Sequence, residues 1–509
     1  MEDSNTRAKY IEDFPLAYPI ESSGKMTKSH FSNRILKDNW DNYIIEGRPD
    51  IIVSNRALPL LFPELNIDQD DDNGYSIIEI KNRKLKFNLN GSLSNSPQMI
   101  QNKIQCIMYR DMLIDTFGDI YDYSNIRCYI MGKQMELGEV DSEEIVGFRK
   151  ETLTEYYHRC IREYLYVKNI DLHGSSNPFQ ELCQLVRQNP WLGPNMSNPL
   201  VEWDYMKLCI ALKTYELSLL PNLGPQKKYK LTQNGITSWE NPSLQAIDLG
   251  YKNTKYSPHQ VERINAIMDL HRFSTDDVYN PRILKPVVRG FIERVSPIEA
   301  FLDFETVNLN GGVCIVQIGT LMVGPGFQKY YSFMVNKINI DEELIIIKDW
   351  LQMLSNYQTQ YGTDNIPIYH WTSAEKSFIK GFIKELSKVV TRSRNKIIHN
   401  LHLNMDNFKD LAQAYLKCPI VIRGVFRYSI KPIVKALYSM GEIPETWEDE
   451  TVDGFGAGLL MVKANNECAE NGISLCDTDI AQTVIKYNEI DCRSVYNLLN
   501  YIRGRYGLD

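Results

Sequence analysis

Two parts of the chain alternate short apolar runs with longer stretches of helical periodicity. In the N-terminal third, runs rich in β-branched residues are bounded by polar turns, which is typical of strands buried in a sheet. The predicted strands are Asp50 to Ser54, Tyr75 to Ile80 and Ile126 to Met131, and the predicted helices are Gln98 to Thr116 and Lys150 to Val167. This order of elements predicts an α/β domain.

The middle and C-terminal parts follow different patterns. From about Asp171 to Leu284 the chain has helical periodicity, frequent Pro and Asn and few strand signals, so we expect a helical connector. The strands predicted beyond it are Glu299 to Thr306, Val313 to Val323, Lys329 to Val335 and Ile366 to Trp371, followed by helices. Because no internal repeat links the two α/β parts, we predict unrelated domains at 1–170 and 287–509, joined by a connector at 171–286.

Composition limits the classes of protein that fit. The chain has 509 residues, a net charge of -8 and ordinary apolar and aromatic fractions. Without a signal-like or long apolar run, we expect an intracellular protein, in the cytoplasm, the nucleoid or a viral factory, with no membrane partner. The ten cysteines form no CxxC pair, which favours reduced thiols over disulfides or a compact zinc site. Any nucleic-acid binding must use local basic patches and bound cations, because the overall charge repels phosphate.

The N-terminal part places acidic and basic residues at the ends of predicted strands. Asp50 begins one apolar run, and Glu79 and Lys81 end the next, two residues apart and therefore on one face of the strand. Two carboxylates can hold a divalent cation beside a lysine that balances charge. An exposed Glu and Lys on an outer strand face is the alternative. Gln105 and Tyr109 lie four residues apart, on one face of the following helix.

The C-terminal part has a second acidic pattern. Asp303 and Glu305 interrupt an apolar strand at i and i+2, so both face the same way and repel each other without a cation. On the last helix, Tyr487 and Asp491 share one face. The phenol can orient an attacking water while Asp491 completes a set of metal ligands.

The N-terminal residues resemble those of a known nuclease family. Gly47-Arg-Pro-Asp50, Glu79-Ile-Lys81 and Gln105-x-x-x-Tyr109 are similar, in order and spacing, to the PD-(D/E)xK nucleases of the RecB and Cas4 kind. The resemblance implies a restriction-endonuclease-like fold, with Asp50 and Glu79 as metal ligands and Lys81, Gln105 and Tyr109 in catalysis. It also implies a first ligand on a helix before the first strand, for which the candidates are His30, Glu21 and Glu46.

Many such nucleases carry four cysteines that hold an iron-sulfur cluster. In this chain the corresponding segment, Asn195 to Cys209, keeps only Cys209. We therefore expect no iron-sulfur cluster.

The C-terminal residues resemble another family. Asp303-x-Glu305 followed by Tyr487-x-x-x-Asp491 resembles the DEDD exonucleases of the RNase H-like fold, in the subtype with tyrosine in the third motif. The resemblance implies a two-metal 3'-5' exonuclease. The second motif departs from the family, because Glu375 stands where an aspartate is expected. Glu375 is the favoured ligand; alternatively Thr372-Ser-Ala-Glu375 is a capping box, or Asp410 supplies the acid.

The connector and one later helix carry candidate nucleic-acid contacts. Leu219 to Pro225, followed by lysines, is similar to a helix-hairpin-helix element, in which Gly224, Lys227 and Lys228 would meet phosphate. The alternative is a packing turn with solvated lysines. Lys431 opens a helix where it can approach substrate, although a solvated position is equally compatible with the pattern.

Taken together, the chain resembles fused two-nuclease proteins with a RecB-like domain, a helical connector and an RNase H-like domain. This resemblance implies hydrolysis of DNA or RNA with Mg²⁺ or Mn²⁺. Because the sequence has no Walker GxxxxGK[ST] motif, unwinding would need a helicase supplied in trans. The alternatives are a nucleic-acid-binding or scaffold protein with one or both sites inactive, and a two-metal phosphohydrolase acting on nucleotides.

Overall fold

The structure is a computed structural model that describes most of the chain. The contacts between residues divide the chain into two compact units, Met1–Leu182 and Cys183–Asp509. The residues it describes are 29–30, 44–45, 49–55, 58–63, 65, 74–117, 126–171, 176–198, 203–255, 257–274, 276–279, 286–309, 312–388, 392–447 and 454–508. Within these residues no helix is long and apolar enough to cross a membrane. The division into three domains stays a prediction.

The first unit is built on a four-stranded mixed sheet in the order β3-β4-β5-β6. Its elements are β1 Ser29–His30, β2 Ile44–Ile45, β3 Ile51–Ser54, α1 Leu58–Leu61, β4 Tyr75–Ile80, α2 Pro97–Phe117, β5 Arg127–Met131, β6 Leu137–Glu139, β7 Ile145–Val146, β8 Glu151–Thr152 and α3 Leu153–Lys168. Only β4 and β5 are parallel. Parallel neighbours need a crossover, and α2 supplies it. The core between α2 and the sheet contains Ile77, Ile107 and Ile130.

The second unit begins with helices, continues with a five-stranded sheet and ends with further helices. Its α-helices and strands, with α4 crossing from the first unit, are α4 Pro178–Gln188, α5 Asp204–Thr214, α6 Pro225–Gln233, α7 Gln260–Arg272, β9 Val278–Tyr279, α8 Pro286–Ile292, β10 Glu299–Leu309, β11 Gly312–Gly324, β12 Phe327–Met334, α9 Ile340–Tyr361, β13 Ile368–His370, α10 Ala374–Leu386, α11 Arg392–Met405, β14 Phe408–Asp410, α12 Ala412–Lys417, β15 Val421–Ile422, α13 Ile430–Ser439, α14 Gly454–Asn471 and α15 Asp479–Tyr506. Short 3-10 helices lie at Pro190–Leu192, Leu217–Leu219 and Leu475–Asp477.

The predicted connector packs within the second unit. Its core surrounds Trp239, whose indole nitrogen donates to the Glu216 carbonyl at 3.0 Å. Val421 and Phe426, from beyond the five-stranded sheet in sequence, belong to the same apolar cluster. β9 also pairs with β15, so the connector contributes a strand as well as helices. The connector and the C-terminal α/β part therefore share one apolar cluster.

The five strands lie in the order β12-β11-β10-β13-β14. β10 is the central strand, antiparallel to β11 and parallel to β13. Alternate residues of β10 enter different cores: Ala300 and Leu302 pack in the cluster that contains Trp350, and Phe301 packs in the cluster with α15. Asp303 and Glu305 lie two and four residues after Phe301, so the three side chains share one face of the strand. This register directs both carboxylates to the α15 face.

The predicted strands and helices of both α/β parts are confirmed to within a few residues at each end. The mixed sheets and helices make the chain an α/β protein. One placement is wrong: His30 lies in β1 rather than on a helix, because its backbone pairs with Ile44 of β2.

Candidate functional site

Three carboxylates converge in the second unit. Asp303 and Glu305 extend from the central strand β10, and Asp491 extends from α15, which packs across that face of the sheet. One oxygen atom from each carboxylate lies within 4.8 Å of the other two. Among the described residues, this is the only group of three or more His, Cys, Asp or Glu side chains close enough to hold one metal ion.

The three acids perturb each other's protonation. Burial, followed by repulsion from Asp491, Glu305 and Glu375, raises the pKa of Asp303 well above its usual range. Burial and the charge of Asp491 raise the pKa of Glu305 to about 8. The pKa of Asp491 rises to about 7, mainly through burial, although Lys431 and a hydrogen bond from Tyr487 oppose the rise. Like charges held this closely favour a bound cation.

Asn488 connects two of these acids. Its buried side-chain amide donates to Asp303 Oδ2 at 2.8 Å and to Glu305 Oε1 at 3.4 Å. The Tyr330 hydroxyl donates to Asn488 Oδ1 at 3.0 Å, which fixes the orientation of the amide. Position 319, opposite Asp303 on β11, must be glycine, because a Cβ there would overlap Asn488 Oδ1. The carboxylates are therefore held in place by a close approach between strand and helix.

Glu375 lies near the same group of acids, since its charge raises the pKa values of Asp303 and Asp491. Its carboxylate forms a 2.9 Å hydrogen bond with His370 Nδ1, and both side chains are buried. The capping-box alternative is wrong. Ser373 is the N-cap of α10 and makes no side-chain capping bond within the described chain, and Glu375 bonds to His370 instead.

The turn before α10 has an unusual backbone. Thr372 adopts φ +68°, a left-handed conformation that is costly for a β-branched residue. This turn joins His370 at the end of β13 to Glu375 in the first turn of α10. The strained turn brings the hydrogen-bonded pair together.

Asp410, the alternative acid, has a local structural role. Its carboxylate accepts from the Ala412 backbone N–H at 3.1 Å and from Gln413 at 3.3 Å. These bonds fix the start of α12. Asp410 is not part of the acidic group.

Lys431 and Tyr487 lie on the α13 and α15 side of the acids. The Lys431 ammonium is 4.8 Å from the centre of the Tyr487 ring and 5.7 Å from that of Trp447. Its charge lowers the pKa values of Glu305 and Asp491. The helix start predicted at Lys431 is confirmed, and the side chain lies within the field of the carboxylates rather than on a remote solvated face.

The five candidate residues of the first unit form one connected cluster. Lys81 donates to Glu79 Oε1 at 2.6 Å and to Gln105 Oε1 at 3.1 Å. Gln105 in turn donates to the Tyr109 hydroxyl at 2.8 Å. Asp50 accepts from the backbone N–H of Ile80 at 2.8 Å, which places it at the same end of β4. The patterns on two strands and one helix thus meet at one place.

Glu79 is the buried member of this cluster. Burial raises the pKa of the Glu79 carboxyl, the hydrogen bond with Lys81 lowers it, and the charge of Asp50 raises it further. Its second oxygen, Oε2, is buried without a hydrogen-bond partner in the part of the chain that is described. An unsatisfied buried carboxylate oxygen beside a second carboxylate is a suitable position for a cation.

Other candidates of the first unit have less structural support. The backbone of His30 is in β1, and its side chain lies outside the described residues, as do Glu21 and Glu46. The absence of an iron-sulfur cluster stays a prediction; Cys209 lies half-buried on α5.

The connector residues divide into two groups. Gly224 is the N-cap of α6, and Lys227 is exposed with its ammonium 5.6 Å from the Tyr251 ring centre. Lys228 instead turns inward, where it pairs with the buried Glu216 at 2.8 Å. The preceding element is the short 3-10 helix Leu217–Leu219 rather than a full helix. Lys228 thus holds the connector together, whereas Gly224 and Lys227 remain accessible.

Three residues of the C-terminal site are not singled out by the sequence patterns: Asn488, Tyr330 and Gly319. Two of them carried a usable signal. Asn488 lies three residues before Asp491 and therefore on the same helical face. Gly319 interrupts an apolar strand, where glycine often marks a close approach of another element. Tyr330 gave no such signal, because its role depends on strand pairing across β11 and β12.

The second unit thus carries an acidic group on β10 and α15, and the first unit carries, as a separate cluster, a lysine-balanced carboxylate at the end of β4. No protein-family model, curated protein or solved structure matches the chain.

Proposed function

We propose that the chain is a metal-dependent nuclease that hydrolyses phosphodiester bonds of DNA or RNA. The observation that carries the proposal is the convergence of Asp303, Glu305 and Asp491, with ligand oxygens within 4.8 Å of each other. The five-stranded mixed sheet with the acids on its central strand is compatible with the RNase H-like exonuclease domain that the sequence resembles. On this proposal, the C-terminal site removes nucleotides from 3' ends.

The residues fit Mg²⁺ or Mn²⁺. Both ions prefer oxygen ligands, and this group offers carboxylates only. Burial, followed by repulsion from neighbouring carboxylates, raises the pKa values of Asp303, Glu305 and Asp491, as expected for an excess of negative charge in a buried group. A divalent cation would offset that excess and bring the carboxylates into their ionised form. Glu375, which is hydrogen-bonded to His370, would add a fourth carboxylate to the ligand set.

Each side chain has a distinct part in the proposed reaction. Asp303, Glu305 and Asp491 would hold the metal, which when bound lowers the pKa of water and neutralises phosphate charge. Asn488 fixes the two strand carboxylates through its amide. Tyr487 donates a hydrogen bond to Asp491, and its phenol would orient an attacking water. Lys431 can stabilise the negative charge of the phosphate that enters beside it.

We propose a second hydrolytic site at Asp50, Glu79 and Lys81, with Gln105 and Tyr109 in support. Its basis is the connected cluster that joins Glu79 through Lys81 to Gln105. Asp50 and Glu79 would share a cation, and Lys81 would orient the attacking water. The mixed sheet around β4 is compatible with a RecB-like nuclease domain. A helicase supplied in trans would open duplex substrates.

The test is a nuclease assay on single- and double-stranded DNA and RNA labelled at either end, with Mg²⁺ or Mn²⁺. We expect Asp303→Asn to reduce shortening from the 3' end by at least about 1000-fold, because it removes a metal ligand. Lys81→Ala should remove a separate cleavage and leave the 3' activity unchanged. If either variant removes both activities, the two sites are not independent.

Two further outcomes identify the alternatives. A wild-type protein that binds oligonucleotides but cleaves none would be a nucleic-acid-binding or scaffold protein. A protein that hydrolyses free nucleotides faster than oligonucleotides would be a nucleotide phosphohydrolase. Each result would overturn the proposed function.

A further inference from the structure

A small β-hairpin, residues 84–94, follows the N-terminal site in the chain. The Ser94 backbone N–H donates to the Lys86 carbonyl at 2.8 Å, and that of Asn88 donates to the Ser92 carbonyl at 2.8 Å. Phe87 forms a bridge with Leu93. Gly91 closes the tip at φ +83°, a conformation that favours glycine. We call this segment the basic hairpin.

The base of the basic hairpin is held by the core of the first unit. Leu85 and Leu93 are buried in the cluster beneath α2. Each packs closely against a glycine: Leu85 against Gly132, just after β5, and Leu93 against Gly138, in β6. A Cβ at either glycine would overlap the leucine side chain. The Lys103 ammonium also donates to the Leu93 carbonyl at 3.0 Å. The base is therefore fixed.

The tip presents apolar side chains to solvent. Leu89 is fully exposed, at 111% relative accessibility, and Phe87 is 41% exposed. A single exposed leucine needs no explanation on an ordinary surface. Here the leucine lies at the end of an anchored hairpin, with an aromatic ring two residues before it. This arrangement suits contact with another molecule.

The charge around the basic hairpin favours a negatively charged molecule as its partner. Residues 81–110 contain six lysines and arginines and no aspartate or glutamate, in a chain whose net charge is -8. Lys103 and Arg110 pair with Glu144 and Asp111. Lys84 and Lys86 are exposed, and neither has an ion-pair partner among the residues that the structure describes. Backbone hydrogen bonds, and after them the charge of Lys84, lower the pKa of Glu136.

The basic hairpin is continuous with the candidate site. It starts three residues after Lys81, and the Arg83 N–H donates to the Lys81 carbonyl at 2.7 Å. It ends three residues before α2, the helix that carries Gln105 and Tyr109. A phosphate backbone that reached the carboxylates would therefore meet exposed lysines on the adjoining segment.

We propose that the basic hairpin binds the nucleic-acid strand beside the Glu79–Lys81 site, an inference that rests on the proposed function. Lys84 and Lys86 contact phosphates. Phe87 and Leu89 contact unstacked bases, as aromatic platforms and apolar wedges do in nucleic-acid complexes. The hairpin would thus separate or hold the strand that enters the N-terminal site.

The first test measures binding of the full chain to fluorescent single-stranded and duplex DNA in EDTA, where metal-dependent cleavage is blocked. We expect the double variant Lys84→Glu, Lys86→Glu to raise the Kd at least tenfold. The slope of log Kd against log salt concentration should fall by the amount that corresponds to about two phosphate contacts. The control, Lys150→Glu with Lys348→Glu, changes the net charge equally at exposed lysines elsewhere. It should alter Kd less than twofold.

The second test examines the tip. DNA containing 2-aminopurine should brighten when the wild-type protein unstacks the labelled base. Leu89→Ser should abolish that rise and weaken binding about three- to tenfold, because one apolar base contact is lost. Circular dichroism melting of every variant checks that the fold is kept, as expected for exposed positions.

Several outcomes would overturn the inference. One is equal weakening by the hairpin pair and the control pair, and another is unchanged binding in both. Loss of binding to phosphatidylserine vesicles in the hairpin pair, with DNA affinity unchanged, would assign the hairpin to a membrane surface. The proposed function is judged separately: cleavage without hairpin-dependent binding refutes only this inference, and hairpin-dependent binding without cleavage refutes only the nuclease.

Discussion

Glu79 and Glu305 are both buried carboxylates near the ends of apolar runs, and each stands two residues from another candidate side chain. For Glu79 that neighbour is Lys81, which pairs with it at 2.6 Å. For Glu305 it is Asp303, and Asp491 adds a third carboxylate from the facing helix. Similar strands thus carry one cluster with its own cation and another with an excess of anions.

The difference shows that a pair of residues at i and i+2 sets only the direction of two side chains. What the pair can do depends on the third element that packs over it. In the first unit α2 adds neutral Gln105 and Tyr109, which extend the hydrogen bonds of Lys81. In the second unit α15 adds Asp491, which increases the repulsion. We therefore expect the first cluster to persist without metal and the second to be stabilised by one.

The largest effect is expected when one charge is removed from each cluster and stability is measured in EDTA, without metal. Lys81→Met leaves Glu79 buried beside Asp50 without a cation, so we expect the free energy of unfolding to fall by about 1–3 kcal/mol. Asp303→Asn relieves repulsion and should raise it by more than about 1.4 kcal/mol, the equivalent of one pKa unit. Urea unfolding at pH 8 measures both.

Adding metal should reverse the second result. At 100 times its Kd, Mn²⁺ would stabilise the wild-type protein by about 2.7 kcal/mol. Asp303→Asn should lose most of this gain. Two results would contradict the difference between the clusters. One is a change in unfolding free energy of the same sign for Lys81→Met and Asp303→Asn in EDTA; the other is stabilisation of Asp303→Asn by Mn²⁺ equal to that of the wild-type protein.

The next test concerns the space around the C-terminal acids. Gly319→Ala places a methyl group where Asn488 Oδ1 lies, so the amide must leave Asp303 and Glu305. We expect a loss of about 2–3 kcal/mol in stability and at least about 100-fold in 3' exonuclease activity, because overpacking and a broken network combine. The N-terminal cleavage should keep its rate.

A matched glycine substitution controls for backbone effects. Gly381 lies in α10, and a Cβ there would meet nothing within 4 Å. Gly381→Ala should therefore stabilise the protein slightly, as alanine does in helices. If Gly319→Ala behaves in the same way, the close approach does not support the site.

The smallest test separates burial from repulsion between acids. Glu343, on α9, accepts from the Ile315 backbone N–H at 2.9 Å, and burial raises its pKa from 4.5 to about 7. Because the folded protein holds this proton more tightly than the unfolded chain does, stability falls as pH rises from about 4.5 to about 7.

Glu343→Gln should remove this pH dependence. Compared with wild type, we expect equal stability near pH 4.5 and a gain of about 1–3 kcal/mol at pH 8, measured by urea unfolding. The glutamine carbonyl can still accept the Ile315 N–H. A constant difference at all pH values would mean that Glu343 does not titrate in this range.

The sequence predicts the elements and the directions of the paired acids because these depend on local periodicity. The strands around Glu79 and Asp303, and the shared face of Gln105 and Tyr109, are confirmed. Period-two alternation fixes which residues share a strand face, and a four-residue spacing fixes a helix face. Candidate ligands within one element were therefore found directly.

Features that depend on packing between elements could not be predicted from local patterns. Glu375 fits a capping box by local pattern, yet the buried His370 on the preceding strand engages it instead. Lys228 looks like a solvated phosphate contact, but the buried Glu216 holds it inside the connector. In both cases a long-range partner decides the role, and spacing along the chain does not reveal that partner.

Variation at Gly319, whose role is to leave space for Asn488, can report whether the C-terminal acidic group has been kept during evolution. While Asn488 must hold the two strand acids, alanine at 319 is excluded by the overlap with Asn488 Oδ1. A lineage that did not keep the proposed metal site would lose this constraint and could change at both positions together. In related chains, glycine at the position of Gly319 together with asparagine at the position of Asn488 would indicate selection for the acidic group. This would hold even where another residue replaces Glu375.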